Sequence, residues 1–383
     1  MKSNIYILII TGIIFVYACK ETKTDESNVD VIEIDLNKSK QISYTEWFDS
    51  IQIVPLETND QSLIANIDKV IFNGDLIYIF DRKFLNVLIF DNNGKFLKKT
   101  SHLRGQGPNE YISITDLDID EKGNLLILDP FSYKIRGYNA NLEPTNEYDI
   151  SKDLLPIGTF KILSNEIYFL RNYNFEDDEH INVFSIKENK LMKKICQIVN
   201  GGDTKKMVGT KHNNFYKIND TVCFIPNFPH NIVYYYDPEK VEFFPRMEFK
   251  IKQNGFSSTM LPKNQDDSYY RNIIGSDDFS FIFDIKETNK YYFSSVLNGK
   301  KTYINKYDKE TCKNQLINFL FLDGTMLSPQ LLIKDNTFYA YGNVSEIRQF
   351  IENSKYLSEK YKNILKNISE DDNPYIVKYF IKD

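Results

Sequence analysis

One short pattern constrains this chain more than any other: a five-residue apolar stretch that returns six times, at a spacing of about four dozen residues. It reads Ile77-Tyr78-Ile79-Phe80-Asp81, Leu125-Leu126-Ile127-Leu128-Asp129, Ile167-Tyr168-Phe169-Leu170-Arg171, Val222-Cys223-Phe224-Ile225-Pro226, Tyr291-Tyr292-Phe293-Ser294-Ser295 and Phe338-Tyr339-Ala340-Tyr341-Gly342. A second strand of fixed phase follows each, with a β-branched residue three positions before an aromatic, as at Val87/Phe90, Ile135/Tyr138, Ile181/Phe184, Val233/Tyr236, Ile304/Tyr307 and Ile376/Tyr379. A unit this small cannot bury its own apolar faces and must stack on copies of itself.

Each signature is preceded by a strand-like segment, as at Ile67 to Phe72 and Ile114 to Asp120. Most second strands are followed by another after a turn signal such as Asn92-Asn93-Gly94. Four strands in each of six units predict an all-β chain, a six-bladed β-propeller of four-stranded antiparallel blades, which leaves few open sheet edges. The last unit lacks a fourth strand after Ile376 to Ile381. Two N-terminal strand-like segments, Val31 to Leu36 and Ile51 to Leu56, belong to no blade, and one of them is expected to close the ring.

Between the second and third strands of the last unit, Ile347, Phe350, Ile351, Ile364, Leu365 and Ile368 recur at helical spacing. This predicts a helical insert over 345–367, packed on the propeller and ended by Asn373-Pro374.

The N-terminus carries Lys2, an unbroken apolar run from Ile5 to Ala18, then Cys19 and the polar stretch Lys20-Glu21-Thr22-Lys23-Thr24-Asp25-Glu26. The run is too short for a membrane span and has the order of a secretory signal. The expected organisation is a signal peptide over 1–18, a lipidated flexible linker over 19–28 and the propeller over 29–383. Val16-Tyr17-Ala18-Cys19 resembles the bacterial lipobox, which implies acylation of Cys19 and a membrane attachment without a span.

A net charge of −6 without a basic stripe argues against nucleic acid as a partner. Tyrosine and phenylalanine make up nearly all of the 14% aromatic content, with the single Trp47, which suits half-buried strands. Beyond Cys19 there remain Cys196, Cys223 and Cys312, an odd number that implies no disulfide framework. Cys223 stands where other repeats carry a large apolar residue and is expected to be buried.

The lipobox, the repeated units, the loop Gly105-Gln106-Gly107-Pro108-Asn109-Glu110-Tyr111 and the ending Asp371-Asp372-Asn373-Pro374-Tyr375 together resemble the six-bladed propeller lipoproteins of Gram-negative surface nutrient-uptake operons, of the NHL/TolB-like kind. The resemblance covers residues 19 to 383. It implies export to the outer membrane or cell surface, a binding role and an outer-membrane transporter as a potential partner; it transfers no catalytic residues.

In such a fold the loops between second and third strands share one face with the crossings between units, and here those loops are the long ones. Arg104, Asn109, Glu110 and Tyr111 are candidate ligand contacts on that face, with Arg171, Tyr173 and His180, with His212 and His230, and with Tyr270 and Arg271. Polar edges beside an aromatic ring suit a glycan, a peptide or another small solute. For the loop at Gly105 to Tyr111 a purely structural role competes, in which the glycines and Pro108 fix a crossing and Glu110 and Tyr111 anchor it.

No nucleophile elbow, phosphate loop or zinc-protease helix occurs in the sequence, and the histidines lack metal-ligand spacing, so neither a metal nor a cofactor is expected. Two other readings stay open. One is an extracellular lyase or hydrolase using His180, His212 or His230 as a proton carrier. The other is a module that docks a partner protein.

Overall fold

The computed structural model describes residues 29–382 apart from 41, 43, 151–156, 163–166, 173–178, 189, 198–214, 226–230, 257–275, 277, 300, 319–331, 335, 354–362 and 365. The segments expected to form a signal peptide over 1–18 and a lipidated linker over 19–28 lie outside the described residues.

Near the N-terminus come β1 (Asp30–Ile34) and β2 (Phe48–Pro55). The first sheet holds β3 (Lys69–Asn73), β4 (Leu76–Asp81), β5 (Asn86–Asp91) and β6 (Phe96–Lys99). The second holds β7 (Asp116–Ile119), β8 (Leu125–Asp129), β9 (Lys134–Tyr138) and β10 (Pro144–Asp149). In the third are β11 (Ile157–Ile162), β12 (Ile167–Asn172), β13 (Glu179–Ser185) and β14 (Lys190–Gln197). The fourth is built from β15 (Phe215–Ile218), β16 (Thr221–Phe224), β17 (Ile232–Asp237) and β18 (Glu242–Ile251). The fifth contains β19 (Ser280–Glu287), β20 (Tyr291–Asn298), β21 (Lys301–Asp308) and β22 (Lys313–Asn318). In the last sheet β23 (Leu332–Lys334), β24 (Thr337–Gly342) and β25 (Tyr375–Ile381) pair in chain order.

The chain is thus all-β in a propeller arrangement, but the expected count of six four-stranded blades is corrected: five sheets are four-stranded. The fourth in chain order has a fifth strand, because β1 adds in parallel to β18 with Asp30 beside Met247 and Ile34 beside Ile251. The segment around Val31 therefore does not stand apart from the sheets. It covers the outer edge of the fourth one, an edge that would otherwise expose a row of unpaired backbone groups.

On β4 and β8 the signatures are apolar up to their closing aspartates because these strands are buried on both faces. On β4, Ile77 and Ile79 pack toward the last sheet, among Val54, Leu56 and Ile376. Tyr78 and Phe80 point the other way, toward Ile114, Leu117 and Ile127 of the second sheet. The same alternation joins the second sheet to the third, the third to the fourth, the fourth to the fifth and the fifth to the last. Full burial of one such side chain contributes about 1.5–3 kcal/mol, so each inter-sheet layer is worth far more than any single polar contact within it.

Ring closure falls to β2, which pairs antiparallel with β25 from Phe48 beside Ile381 to Pro55 beside Tyr375. Beyond it the chain is fastened by Asn373, which is almost fully buried. Its Oδ1 accepts from Ile64 N (2.9 Å), its Nδ2 donates to Glu57 O and Ser62 O (2.8 Å each), and its own N–H donates to Thr58 Oγ1 (2.9 Å). At the turn after β5, Gly94 holds φ +85, and a Cβ there would sit 2.0 Å from Pro55 O. Only glycine admits that backbone and that approach.

The helical insert expected over 345–367 is also corrected. The described residues carry a single ten-residue helix, α1 (Val344–Asn353), and much of the remaining span lies outside the described residues. Its start is a capping box in which Asn343 Oδ1 accepts from Glu346 N (3.0 Å) and Glu346 Oε2 accepts from Asn343 N (2.8 Å). Val344, Ile347 and Ile351 face the core beside Trp47, Phe293 and Phe338, with Ile364 and Ile368 against the same cluster.

Replacing Asn373 by Ala removes the three side-chain hydrogen bonds that join the two ends of the chain and leaves the backbone bond to Thr58. The expected cost is about 3 kcal/mol of folding stability, read as a lower urea midpoint. Asn373→Asp keeps the acceptor, loses both amide donors and sets a charge against two carbonyls, so it should be at least as harmful. An unchanged midpoint in both variants would remove the fastening role.

Candidate functional site

Strand register sets which loops share an end of the sheets. Phe80 lies beside Lys69 and Asp81 beside Asn86, so the crossing into β3 and the turn between β4 and β5 meet at one end; Leu128 beside Asp116 and Asp129 beside Lys134 repeat the arrangement in the second sheet. At that end sit two fully buried carboxylates, Asp81 and Asp129, the last residues of the first two signatures.

Each carboxylate holds two loops. Asp81 Oδ2 accepts from Ala65 N (2.6 Å) in the crossing loop, while its Oδ1 accepts from Lys83 N (2.9 Å) and Phe84 N (3.2 Å) in the turn. Asp129 Oδ2 accepts from Ile112 N (2.9 Å) and Ser132 Oγ (2.7 Å), and its Oδ1 from Phe131 N (3.2 Å). Hydrogen bonds to a charged acceptor are worth about 1.5–3 kcal/mol each. Both oxygens of a buried carboxylate are satisfied, and two surface loops are fixed in return.

What these loops present is apolar. Phe84 is 48% exposed and Phe131 69%, and Leu63 and Ile112 stand exposed on the two crossing loops. Large side chains left in water on loops held this firmly mark a surface built for contact. Arg104 and Lys83 on these loops are also exposed, and Arg82 is largely exposed with a long ion pair to Asp68 at 3.6 Å.

The loop from Gly105 to Tyr111 divides the residues nominated there. Arg104 and Asn109 are exposed, and Asn109 adopts φ 63 while its carbonyl accepts from Tyr138 Oη (2.9 Å). Glu110 folds back so that its Oε2 accepts from Gly107 N (2.8 Å), and a Cβ on Gly105 would meet that oxygen at 1.9 Å. Tyr111 is fully buried, with its hydroxyl 2.8 Å from Thr100 Oγ1 and 3.1 Å from Leu85 O and Thr100 O. Burial pushes the Tyr111 phenol up to about 12, against a smaller opposing effect of the Thr100 hydrogen bond. Glu110 and Tyr111 thus anchor the loop, and Arg104 and Asn109 are the members that face solvent.

Arg171, next to last in β12, lies opposite Ile181, and His180 lies one residue before Ile181 on β13, so both backbones belong to the same end of the third sheet. Tyr173, His212, His230, Tyr270 and Arg271 lie outside the described residues, so the proton-carrier arrangement has no described geometry. His102 is exposed, with Nδ1 3.2 Å from Lys99 O. Among the described residues no group of three or more His, Cys, Asp and Glu side chains gathers as a metal site would.

Two features escaped the sequence reading. The signature aspartates looked like strand ends, although an acidic residue closing an otherwise apolar stretch twice was a visible signal. Phe84 and Phe131 were also visible, as aromatics inside the turns Asp81-Arg82-Lys83-Phe84 and Asp129-Pro130-Phe131-Ser132, where polar residues are the rule.

A second buried polar cluster joins the fourth and fifth sheets at the opposite end. Arg246 reaches both oxygens of Glu287 (3.0 and 3.2 Å), and Lys309 Nζ and Tyr216 Oη reach the same carboxylate at 2.5 and 2.6 Å. Cys223 is fully buried there and accepts from Arg246 at 3.1 Å; burial first, then the Glu287 charge, pushes its thiol up, which keeps it protonated and unreactive.

The raised Tyr111 phenol makes its contribution to stability pH-dependent. Below the ordinary tyrosine value near 10 the contribution is complete, and it is lost as pH rises from about 10 through about 12. Tyr111→Phe should cost about 1–3 kcal/mol at neutral pH and shrink the alkaline loss over that window, followed by urea unfolding at several pH values. Equal stability of the two proteins at neutral pH would show that the loop needs no such anchor.

Comparison with solved structures places the fold. A protein of Bacteroides fragilis described as exported superposes with a TM-score of 0.74 at 18% identity, covering 92% of this chain and all of that one. A member of the DUF4221 family from Bacteroides vulgatus superposes with a TM-score of 0.54 at 11% identity, covering 90% of this chain and 98% of that one. No curated protein matches the sequence. The family model of a domain of unknown function, DUF4934, matches residues 27–380, and the chain belongs to that family.

Proposed function

We propose that this is an exported, lipid-anchored binding protein of the outer membrane or cell surface. Its looped face takes a glycan, a peptide or another small solute on behalf of an uptake system. The observation that carries this reading is the pair of loops held by Asp81 and Asp129, which leave Phe84 and Phe131 exposed, with the exposed cation Arg104 on the crossing loop between the same two sheets. Exposing such rings costs free energy in water, and holding them in place lowers the entropy lost when a ligand arrives.

Export and anchoring rest on Lys2, the apolar run from Ile5 to Ala18 and Cys19. The similarity in fold to a Bacteroides protein described as exported accords with them. A single acyl chain holds a protein only marginally at a membrane, so stable attachment calls for more than one chain on Cys19.

Two measurements test the proposal. The full chain in detergent micelles is applied to glycan and peptide arrays; it should bind members of one class and lose roughly tenfold in affinity when Phe131 is changed to Ser. Silence on both arrays removes the binding reading. Separately, mass spectrometry of the membrane fraction should find acyl groups on Cys19, and Cys19→Ala should move the protein out of that fraction. An unmodified Cys19 in membrane-bound protein would overturn the anchor.

A further inference from the structure

Four of the eight exposed large apolar side chains among the described residues, Leu63, Phe84, Ile112 and Phe131, lie on the looped end of the first two sheets. The others, including Leu97 on β6 and Met192 on β14, lie on strands away from these loops. The concentration is local and repeated. In each of the two sheets one buried carboxylate holds an aliphatic-bearing crossing loop and an aromatic-bearing turn.

Charge around this rim runs against the rest of the molecule. The protein carries a net −6, yet the turn after Asp81 offers Arg82 and Lys83, and the crossing loop offers Arg104. Glu110, the carboxylate of that loop, is occupied by Gly107 N. On the loop before β3 both Glu57 and Asp60 are exposed, with Glu57 engaged by Phe96 N and Asn59 Nδ2.

We propose that this rim binds an extended segment of a partner protein in which acidic side chains stand beside apolar ones. The inference rests on the binding-face reading and names its ligand. Phe84 and Phe131, one from each of two adjacent sheets, receive the apolar side chains, and Arg104 with Lys83 receives the carboxylates. Leu63 and Ile112 separate this from a sugar platform: aliphatic side chains complement other apolar groups and leave sugar hydroxyls without partners.

An anionic membrane shares the chemistry of a basic and aromatic rim, and the position of the tether argues against it. The chain enters β1 at Asp30, whose charge acts on Tyr307 near the turn between β21 and β22, the short-turn end of the sheets. β1 edges the fourth sheet, which the order of inter-sheet layers sets across the ring from the first. The ten or so residues between the acylation site and that strand span at most about 35 Å, enough to tether the short-turn end but poorly placed to press the opposite rim into lipid.

The test measures fluorescence anisotropy of the full chain in detergent micelles with synthetic peptides in which glutamate alternates with leucine and phenylalanine. Matched peptides carry lysine for glutamate or serine for the apolar residues. Polygalacturonate and phosphatidylglycerol vesicles compete. The glutamate-apolar peptide should bind, the lysine and serine peptides should bind at least about tenfold more weakly, and neither competitor should displace it. The double variant Phe84→Ser, Phe131→Ser and, separately, Arg104→Glu should each weaken binding about tenfold, while Leu97→Ser on the outer strand leaves it unchanged. The native melting temperature in all of them shows that the changes act on the surface.

Preference for the lysine peptide, indifference to the rim variants, or displacement by vesicles or polygalacturonate would overturn the proposal. If the arrays yield a glycan whose binding falls in Phe131→Ser while the acidic peptide does not bind, the binding face stands and this ligand class is wrong. If nothing binds in either experiment, both readings fall together.

Discussion

The interaction on which the rest of this structure depends is the hydrogen bond from a backbone amide to a buried aspartate. A ring of small sheets has a weakness that apolar packing alone does not cure. The innermost strand of each sheet turns one row of amide groups away from its own partner, and the crossings between sheets have no ladder at all. On β7, Asp116 Oδ2 accepts from Phe160 N (2.9 Å) and Thr159 Oγ1 (2.5 Å) of β11, and Asp118 Oδ2 accepts from Ile162 N (2.9 Å). Lys69 from β3 and Lys161 from β11 neutralise the two carboxylates, each at 2.7 Å. One strand thereby supplies acceptors to the edge of the next sheet.

The same device, moved from the inner edge to the ends of the signatures, makes the rim. Asp81 and Asp129 do for the loops what Asp116 and Asp118 do for the edge, with the difference that the loops carry side chains facing water. Burying an unpaired carboxylate would be prohibitive, and these are tolerated because each oxygen has a donor. Stability and surface display therefore share one cause. Removing Asp129 would leave Ile112 N and Phe131 N unpaired and free both apolar residues to fold away from solvent.

Much of the fold was legible in the sequence because burial on both faces writes an unbroken apolar stretch, although its six copies predicted six four-stranded blades where five are found. The closing strand was legible too, since Ile51, Ile53 and Val54 had no partner within any unit and Ile376 to Ile381 lacked an outer neighbour. The parallel pairing of β1 was not, because which outer edge remains open is a property of the assembled ring. The helix over Val344–Asn353 carried a clear stripe, but its continuation was read from Ile364 and Ile368, which pack on the same cluster from outside that helix. Tyr111 shows the limit at the site: sequence gives an aromatic in a polar loop, and only the hydroxyl's contacts with Thr100 and Leu85 tell that it points inward.

Among the described residues, the loops held by a signature aspartate are those of the first two sheets. The position held by Asp81 and Asp129 is Arg171, Pro226, Ser295 and Gly342 in the others, and none of these carries a carboxylate that can accept from two loops at once. In the last sheet the end of the chain takes a different solution, in which Asn373 gathers four bonds from the loop at Glu57 to Ile64 and α1 covers the apolar layer beneath. The fourth and fifth sheets invest a buried carboxylate at the opposite end, in Glu287, where Arg246 and Lys309 pair with it and tie the two sheets together. Of the six repeated segments in the sequence, only the first two thus end in an aspartate that can hold a crossing loop and a turn together.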